Sequence, residues 1–170
     1  MLFRSSPQNA GLILVSQPVI MAIFSPLAGR ISDKIEPRIV ASAGMTLTVI
    51  GLLLFTVLSE NTGLAFIVLC LILLGFGFAL FSSPNTNAVM SSVEKKHYGV
   101  ASATLGTMRL TGQMLSMGIA MLVFAVYLGR AQIKPENYPA FLTSAKTAFI
   151  IFAVLCFGGI LASLARGKVR

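Results

Sequence analysis

Acidic residues are nearly missing from this sequence. There are five in 170 residues, Asp33, Glu36, Glu60, Glu94 and Glu136, and none lies within a long apolar run. No carboxylate is therefore placed inside an apolar segment to act as a base or to bind a metal. Histidine is scarcer still: His97 is the only one, and it sits in a polar connection. The two cysteines, Cys70 and Cys156, each lie deep in an apolar run, with no CxxC spacing and no histidine nearby. They read as buried, reduced thiols. No phosphate-binding glycine loop is present. The chain offers no enzyme constellation, no metal ligands and no cofactor motif. Charged residues of both signs make up only 11% of it, against about 25% in a soluble domain.

What is abundant is apolar. Hydrophobic residues are 56% of the chain, and the mean hydropathy is +0.88. A soluble fold of this size could not hide such an excess, so the expected class is an all-α integral membrane protein with the lipid bilayer as its first partner. The net charge of +8 could suggest nucleic acid. That reading needs basic residues clustered on a polar face, whereas here Lys and Arg fall between apolar runs, so no nucleic-acid partner is expected. The start, 1-MLFRSSPQNA, has one Arg and no immediate apolar core, so no cleavable signal peptide is seen.

A bilayer-spanning helix needs about 20 mostly apolar residues. Five runs qualify. The first is Ala10 to Ala28, broken by Pro18 and ended near Pro26. The second is Ile39 to Leu58. The third begins near Leu64, is apolar to Phe81, and can continue in more polar form through 82-SSPNTNAVMSSV-93. The fourth is Val100 to Leu128 and the fifth Phe141 to Ala165. Polar connections 59-SENTG-63, 94-EKKHYG-99 and 129-GRAQIKPENYP-139 separate them. Runs such as 66-FIVLCLILLGFGFAL-80 do not alternate, which excludes β-barrel strands.

Basic residues in short connections orient such a bundle. With the amino end outside, the cytoplasmic side carries Arg30, Lys34, Arg38, Lys95, Lys96, Arg166, Lys168 and Arg170. The outer side carries Arg4, Arg130, Lys134 and Lys146. The expected topology is amino end out and carboxyl end cytoplasmic, in the cell membrane.

The charged segment 29-GRISDKIEPR-38 would then be a cytoplasmic loop. Pro37 suits the first position of the helix that follows, where its missing N–H costs nothing. Glu36 would lie at that helix start, where a negative charge gains about 0.3–1 kcal/mol. Asp33 is left to pair with a basic residue or with the positive end of another helix; an ordinary solvated turn remains the plainer alternative.

This segment resembles the cytoplasmic loop signature of the major facilitator superfamily, Gly-x-x-x-Asp-Arg/Lys-x-Gly-Arg/Lys-Arg/Lys. Gly29, Asp33, Lys34 and Arg38 fall on matching positions. Glu36 replaces the second Gly and Pro37 a basic residue, as in the degenerate copy found in the second half of such transporters. The wider text, 23-IFSPLAGRISDKIEPRIVASAGM-45 and 83-SPNTNAVMSSVEKKHYGVASATLGTMRLTGQ-113, is similar to the fourteen-helix drug–proton antiporter branch. The resemblance implies part of a six-helix half, with residues 1–170 as a partial carboxyl-terminal membrane domain lacking the first helix of that half. It implies a secondary transporter that exports small molecules, drugs among them, by proton antiport with alternating access. Its partners would be an amino-terminal half, a small-molecule substrate and protons. Asp33, Lys34 and Arg38 would form a latch with a helix of the other half. In such proteins acids of the first half carry proton coupling, so this chain alone would not transport. A small membrane protein that scaffolds a partner without transporting anything is the alternative. The in-frame sequence upstream of Met1 would separate the two, because 1-MLFRSSPQNAG-11 reads as the middle of a loop.

Four further polar residues are candidates for a pathway or gate. Arg109, in 106-GTMRLTGQM-114, lies inside the fourth run. A charge at membrane depth costs about 2.5–3.5 kcal/mol on lenient scales, so Arg109 is either functional or snorkels to the headgroups. The resembling transporters also tend to carry Arg there. Gln113 is one turn on, on the same face. Asn85 and Asn87 follow Pro84; they line the pathway or bond carbonyls freed beside the proline. Small residues spaced four apart, Ser102/Gly106 and Gly112/Ser116 in the fourth run and Gly159/Ser163 in the fifth, suggest closely packed helix faces.

Overall fold

The computed structural model describes residues 7–59, 62–129 and 137–165. Five long helices are found in them: α1 (Pro7–Lys34), α2 (Pro37–Thr56), α3 (Leu64–Ser91), α4 (Tyr98–Leu128) and α5 (Tyr138–Ala165). A short 3₁₀ turn, Lys95–His97, leads into α4. All five helices are long and apolar enough to cross a membrane. Their outer faces carry exposed large side chains such as Leu12, Val19, Leu69, Met114, Leu122, Val126 and Leu161. Such a surface is stable where the surrounding solvent is lipid, and the backbone polar groups are satisfied within each helix.

The first helix differs from expectation. Neither Pro18 nor Pro26 breaks it; both lie inside an uninterrupted α1. A proline removes one backbone hydrogen bond, whereas ending the helix in an apolar medium would orphan several N–H and C=O groups. For the same reason α3 continues through Pro84 to Ser91. The charged segment is also not a free loop. Gly29 to Lys34 form the last turns of α1, and only Ile35 and Glu36 connect it to α2. Lys34 in that last turn complements the negative helix end. Arg4, Glu60, Arg130, Lys134, Glu136, Arg166, Lys168 and Arg170, which enter the orientation count or close the connections, lie outside the described residues.

The helices alternate in direction. One end of the bundle therefore gathers the end of α1, the start of α2, the end of α3, the start of α4 and the end of α5; this is called the charged end below. At the centre is α3, packed along both α1 and α2. Helix α5 packs along α2, and α4 is held mainly by α5. Two glycines two residues apart put backbone against backbone on opposite sides of α3. A Cβ at Gly75 would lie 2.5 Å from the Gln17 carbonyl oxygen of α1, and one at Gly77 would lie 2.9 Å from the Gly44 carbonyl oxygen of α2. Far from the charged end, Phe55, Ile67, Cys70, Leu71 and Leu74 form a buried cluster. The Phe149 ring of α5 stacks on Phe55 at 5.1 Å.

Small residues thus do make close approaches, but chiefly on α2 and α3. Along α4 a Cβ at Gly99, Gly106, Gly112 or Gly118 would meet nothing within 4 Å, and only Ala101 and Val123 of that helix are buried. On α5 the expected pair does pack: the Ser163 hydroxyl accepts a 3.0 Å hydrogen bond from the Ser42 hydroxyl of α2, and Gly159 faces Met45.

Candidate functional site

Two groups of polar residues stand out in an otherwise apolar bundle. The first is at the charged end. Glu36 is the N-cap of α2, with Pro37 at its first position as expected, but its carboxylate makes no cap hydrogen bond. Instead Glu36 Oε2 accepts from Arg38 Nε at 2.7 Å, with both side chains about a quarter exposed or less. The residue that departs from the signature thereby engages the signature's last basic residue. Asp33 and Lys34 are exposed on the last turn of α1. Gly29 lies where a side chain would press on α3, since its Cβ would be 3.1 Å from Ser83 Oγ.

One turn beyond Gly29, Ser32 is almost fully buried. Its hydroxyl donates to the Gly29 carbonyl at 2.7 Å and accepts from Asn87 Nδ2 of α3 at 3.1 Å. Asn87 is therefore part of a clasp between α1 and α3. Asn85, half-buried, does not line the cleft described next.

The second group surrounds Arg109, 11 residues into α4 and so about 16 Å along it. Its Nη2 donates to Thr86 Oγ1 at 2.7 Å and to Ser82 Oγ at 3.4 Å, both on α3. Ser82 and Thr86 are one helical turn apart on one face, so a single guanidinium nitrogen reaches both. Arg109 and Gln113 line an open cleft of about 640 Å³ between α1, α3 and α4, together with Gln17, Phe78, Phe81 and Ser116. No carboxylate lines it. Beside it, and sharing Phe78, Phe81 and Ser116, is an apolar cavity of about 520 Å³ lined also by Met45, Leu52, Phe152 and Cys156. The structure therefore brings Arg109 and Gln113 together and keeps Asn87 apart from them. Sequence reasoning missed Ser82, Thr86 and Ser32. The i, i+4 spacing of the first two on a helix facing Arg109 was the available signal, and nothing in the sequence marked Ser32.

A family model described as Major Facilitator Superfamily matches residues 2–169. The chain belongs to the major facilitator superfamily. This major facilitator chain is 28% identical over 156 residues to the riboflavin transporter RibZ of Clostridioides difficile, covering 92% of this chain and 34% of that one. It is 30% identical over 131 residues to the multidrug resistance protein Stp of Mycobacterium tuberculosis, covering 77% and 24%. With the lincomycin resistance protein LmrB of Listeria monocytogenes it shares 25% over 168 residues, covering 95% and 36%. The chain thus spans about a third or less of the length of these relatives. No solved structure matches it. Membership makes it a multi-pass membrane protein of a transporter family, in keeping with its five apolar helices.

Proposed function

We propose that this chain works as the carboxyl-terminal part of a secondary active transporter in the cell membrane. It exports small organic molecules, drugs among them, by proton antiport and alternating access. The observation that carries this reading is the cleft between α1, α3 and α4, where Arg109 and Gln113 stand next to an apolar cavity. A few polar groups on an apolar wall are what a small-molecule site requires. Multidrug and lincomycin resistance proteins among the relatives support drug export; a riboflavin transporter among them widens the range of substrates to test.

In this reading the other half of the transporter closes over the cleft, and the charged end faces the cytoplasm. Asp33 and Lys34 stand exposed there to meet the partner half as a latch. Arg38, the third charged member of that latch, is held by Glu36 in a partly exposed ion pair. No acid lies within the long apolar runs of this chain, so in this reading the proton-carrying group belongs to the other half. The test is transport in everted membrane vesicles of cells expressing the complete transporter. An imposed proton gradient should drive uptake of one or more of a panel of small molecules that includes lincomycin and riboflavin, and a protonophore should abolish it. Uptake that ignores the gradient would refute proton antiport.

A further inference from the structure

We propose that the Arg109 cleft selects ligands that carry a carboxylate, or a similar anionic group, on an apolar body. This inference rests on the cleft being the substrate site and names the class of substrate it takes.

The cleft is polar at one point and apolar elsewhere. Arg109 is the only charged residue lining it. Its neighbours there, Gln17, Gln113 and Ser116, are uncharged. The described acids, Asp33, Glu36 and Glu94, all lie outside its walls. A guanidinium has five N–H donors and stays protonated. Two of the five go to Thr86 and Ser82 through Nη2, and those acceptors are neutral hydroxyls. Nε and Nη1 have no hydrogen-bond partner among the described residues. The charge is therefore held in place by hydroxyls and balanced by none of the described groups. Arg109 is exposed in this chain alone; once the other half closes over the cleft and excludes water, its unbalanced charge attracts an anion more strongly than in open solvent. It repels an ammonium for the same reason.

The walls decide what else the ligand carries. Phe78 and Phe81 line both the Arg109 cleft and the adjoining apolar cavity. A ligand whose anionic group meets Arg109 can thus lay an apolar ring system along these two side chains. Fully hydrophilic anions lack that second contact. A cationic amphiphile has the second contact but faces the guanidinium.

The experiment uses the complete transporter in lipid nanodiscs and three probes of one shape: 1-naphthoate, 1-naphthamide and 1-naphthylmethylammonium. Binding is measured by equilibrium dialysis. Hydrogen bonds to a charged partner predict that naphthoate binds about ten- to a hundredfold more tightly than the amide, with the ammonium weakest. Arg109→Gln should erase the difference between naphthoate and amide, and Arg109→Lys should retain most of it. Equal binding of naphthoate and ammonium by the unaltered protein would overturn the proposal, and that comparison stands even if a variant fails to fold. A preference for naphthoate that survives Arg109→Gln would overturn it too. Transport of the same probes is measured in proteoliposomes. Selective naphthoate binding without gradient-driven movement leaves this inference standing and removes the proposed antiport. Gradient-driven movement without charge preference does the reverse.

Discussion

Replacing Gly44 by alanine should loosen the bundle at its tightest seam. A Cβ there would sit 2.6 Å from the Gly77 carbonyl oxygen, 2.7 Å from the Phe81 nitrogen and 2.8 Å from the Leu80 carbonyl carbon. All three are backbone atoms of α3, so no rotamer change can make room. Ordinary contact begins at 3.4 Å, which requires α2 and α3 to separate locally by about 0.8 Å. A gap of that size forfeits about a quarter to a half of the dispersion attraction across the seam. Forced overpacking of this kind costs about 1–3 kcal/mol. The matching control is Gly106→Ala on α4, where a Cβ meets open space. There the helix should gain about 0.5–1 kcal/mol from the lost flexibility of glycine. Both variants can be compared in the isolated chain by circular dichroism during titration of mild-detergent micelles with sodium dodecyl sulfate. Gly44→Ala should unfold at a lower dodecyl sulfate fraction than the unaltered chain, and Gly106→Ala at the same or a higher one. If Gly44→Ala leaves the transition where it was, the backbone seam between α2 and α3 is not what holds these helices together.

Other consequences can be checked directly. In the complete transporter, Asp33→Asn should lower transport well below that of Glu60→Gln at matched membrane levels; equal rates would dismiss the latch. A reporter that is active only outside the cytoplasm, fused after Arg170, should stay silent, and a strong signal would reverse the proposed orientation. A double-mutant cycle of Ser32→Ala and Asn87→Ala should give a coupling of about 0.5–1.5 kcal/mol in the same unfolding assay, with additivity counting against the α1–α3 clasp. Glu36→Gln should change stability by about 1 kcal/mol or less, because its ion pair with Arg38 is partly exposed; a loss several times larger would mean that the connection between α1 and α2 carries much more of the fold than its geometry implies.

The five spans were legible because each is a long apolar run, and length alone separates a spanning helix from a buried strand. Their limits were less so. Pro26 and the charges from Arg30 onward mark the end of the apolar stretch, yet α1 runs on to Lys34, because a helix has no reason to stop where the hydrocarbon does. Packing was legible only in kind. Small residues four apart on α4 suggested a close face, and the close faces belong instead to Gly44, Gly75 and Gly77. Spacing reveals that a helix could pack tightly but not which neighbour it meets. Arg109 announced itself as a charge in an apolar run, while its partners Ser82 and Thr86 did not, since their meeting depends on how α3 and α4 lie side by side.

That meeting gives α4 the character of a lever. Near its far end Phe124 rests against Phe141 of α5 at 5.4 Å, and Thr147 of α5 donates to the Tyr127 hydroxyl at 3.4 Å. Toward the charged end its hold on α3 includes the two hydrogen bonds from one nitrogen of Arg109. Any ligand that draws the guanidinium toward itself through Nε and Nη1 pulls Nη2 away from Thr86 and Ser82. Occupancy and the attachment of α4 then oppose each other, and by thermodynamic reciprocity a helix already swung away from α3 would bind such a ligand more tightly. The same side chain would be both the contact that recognises the cargo and the catch that its arrival releases.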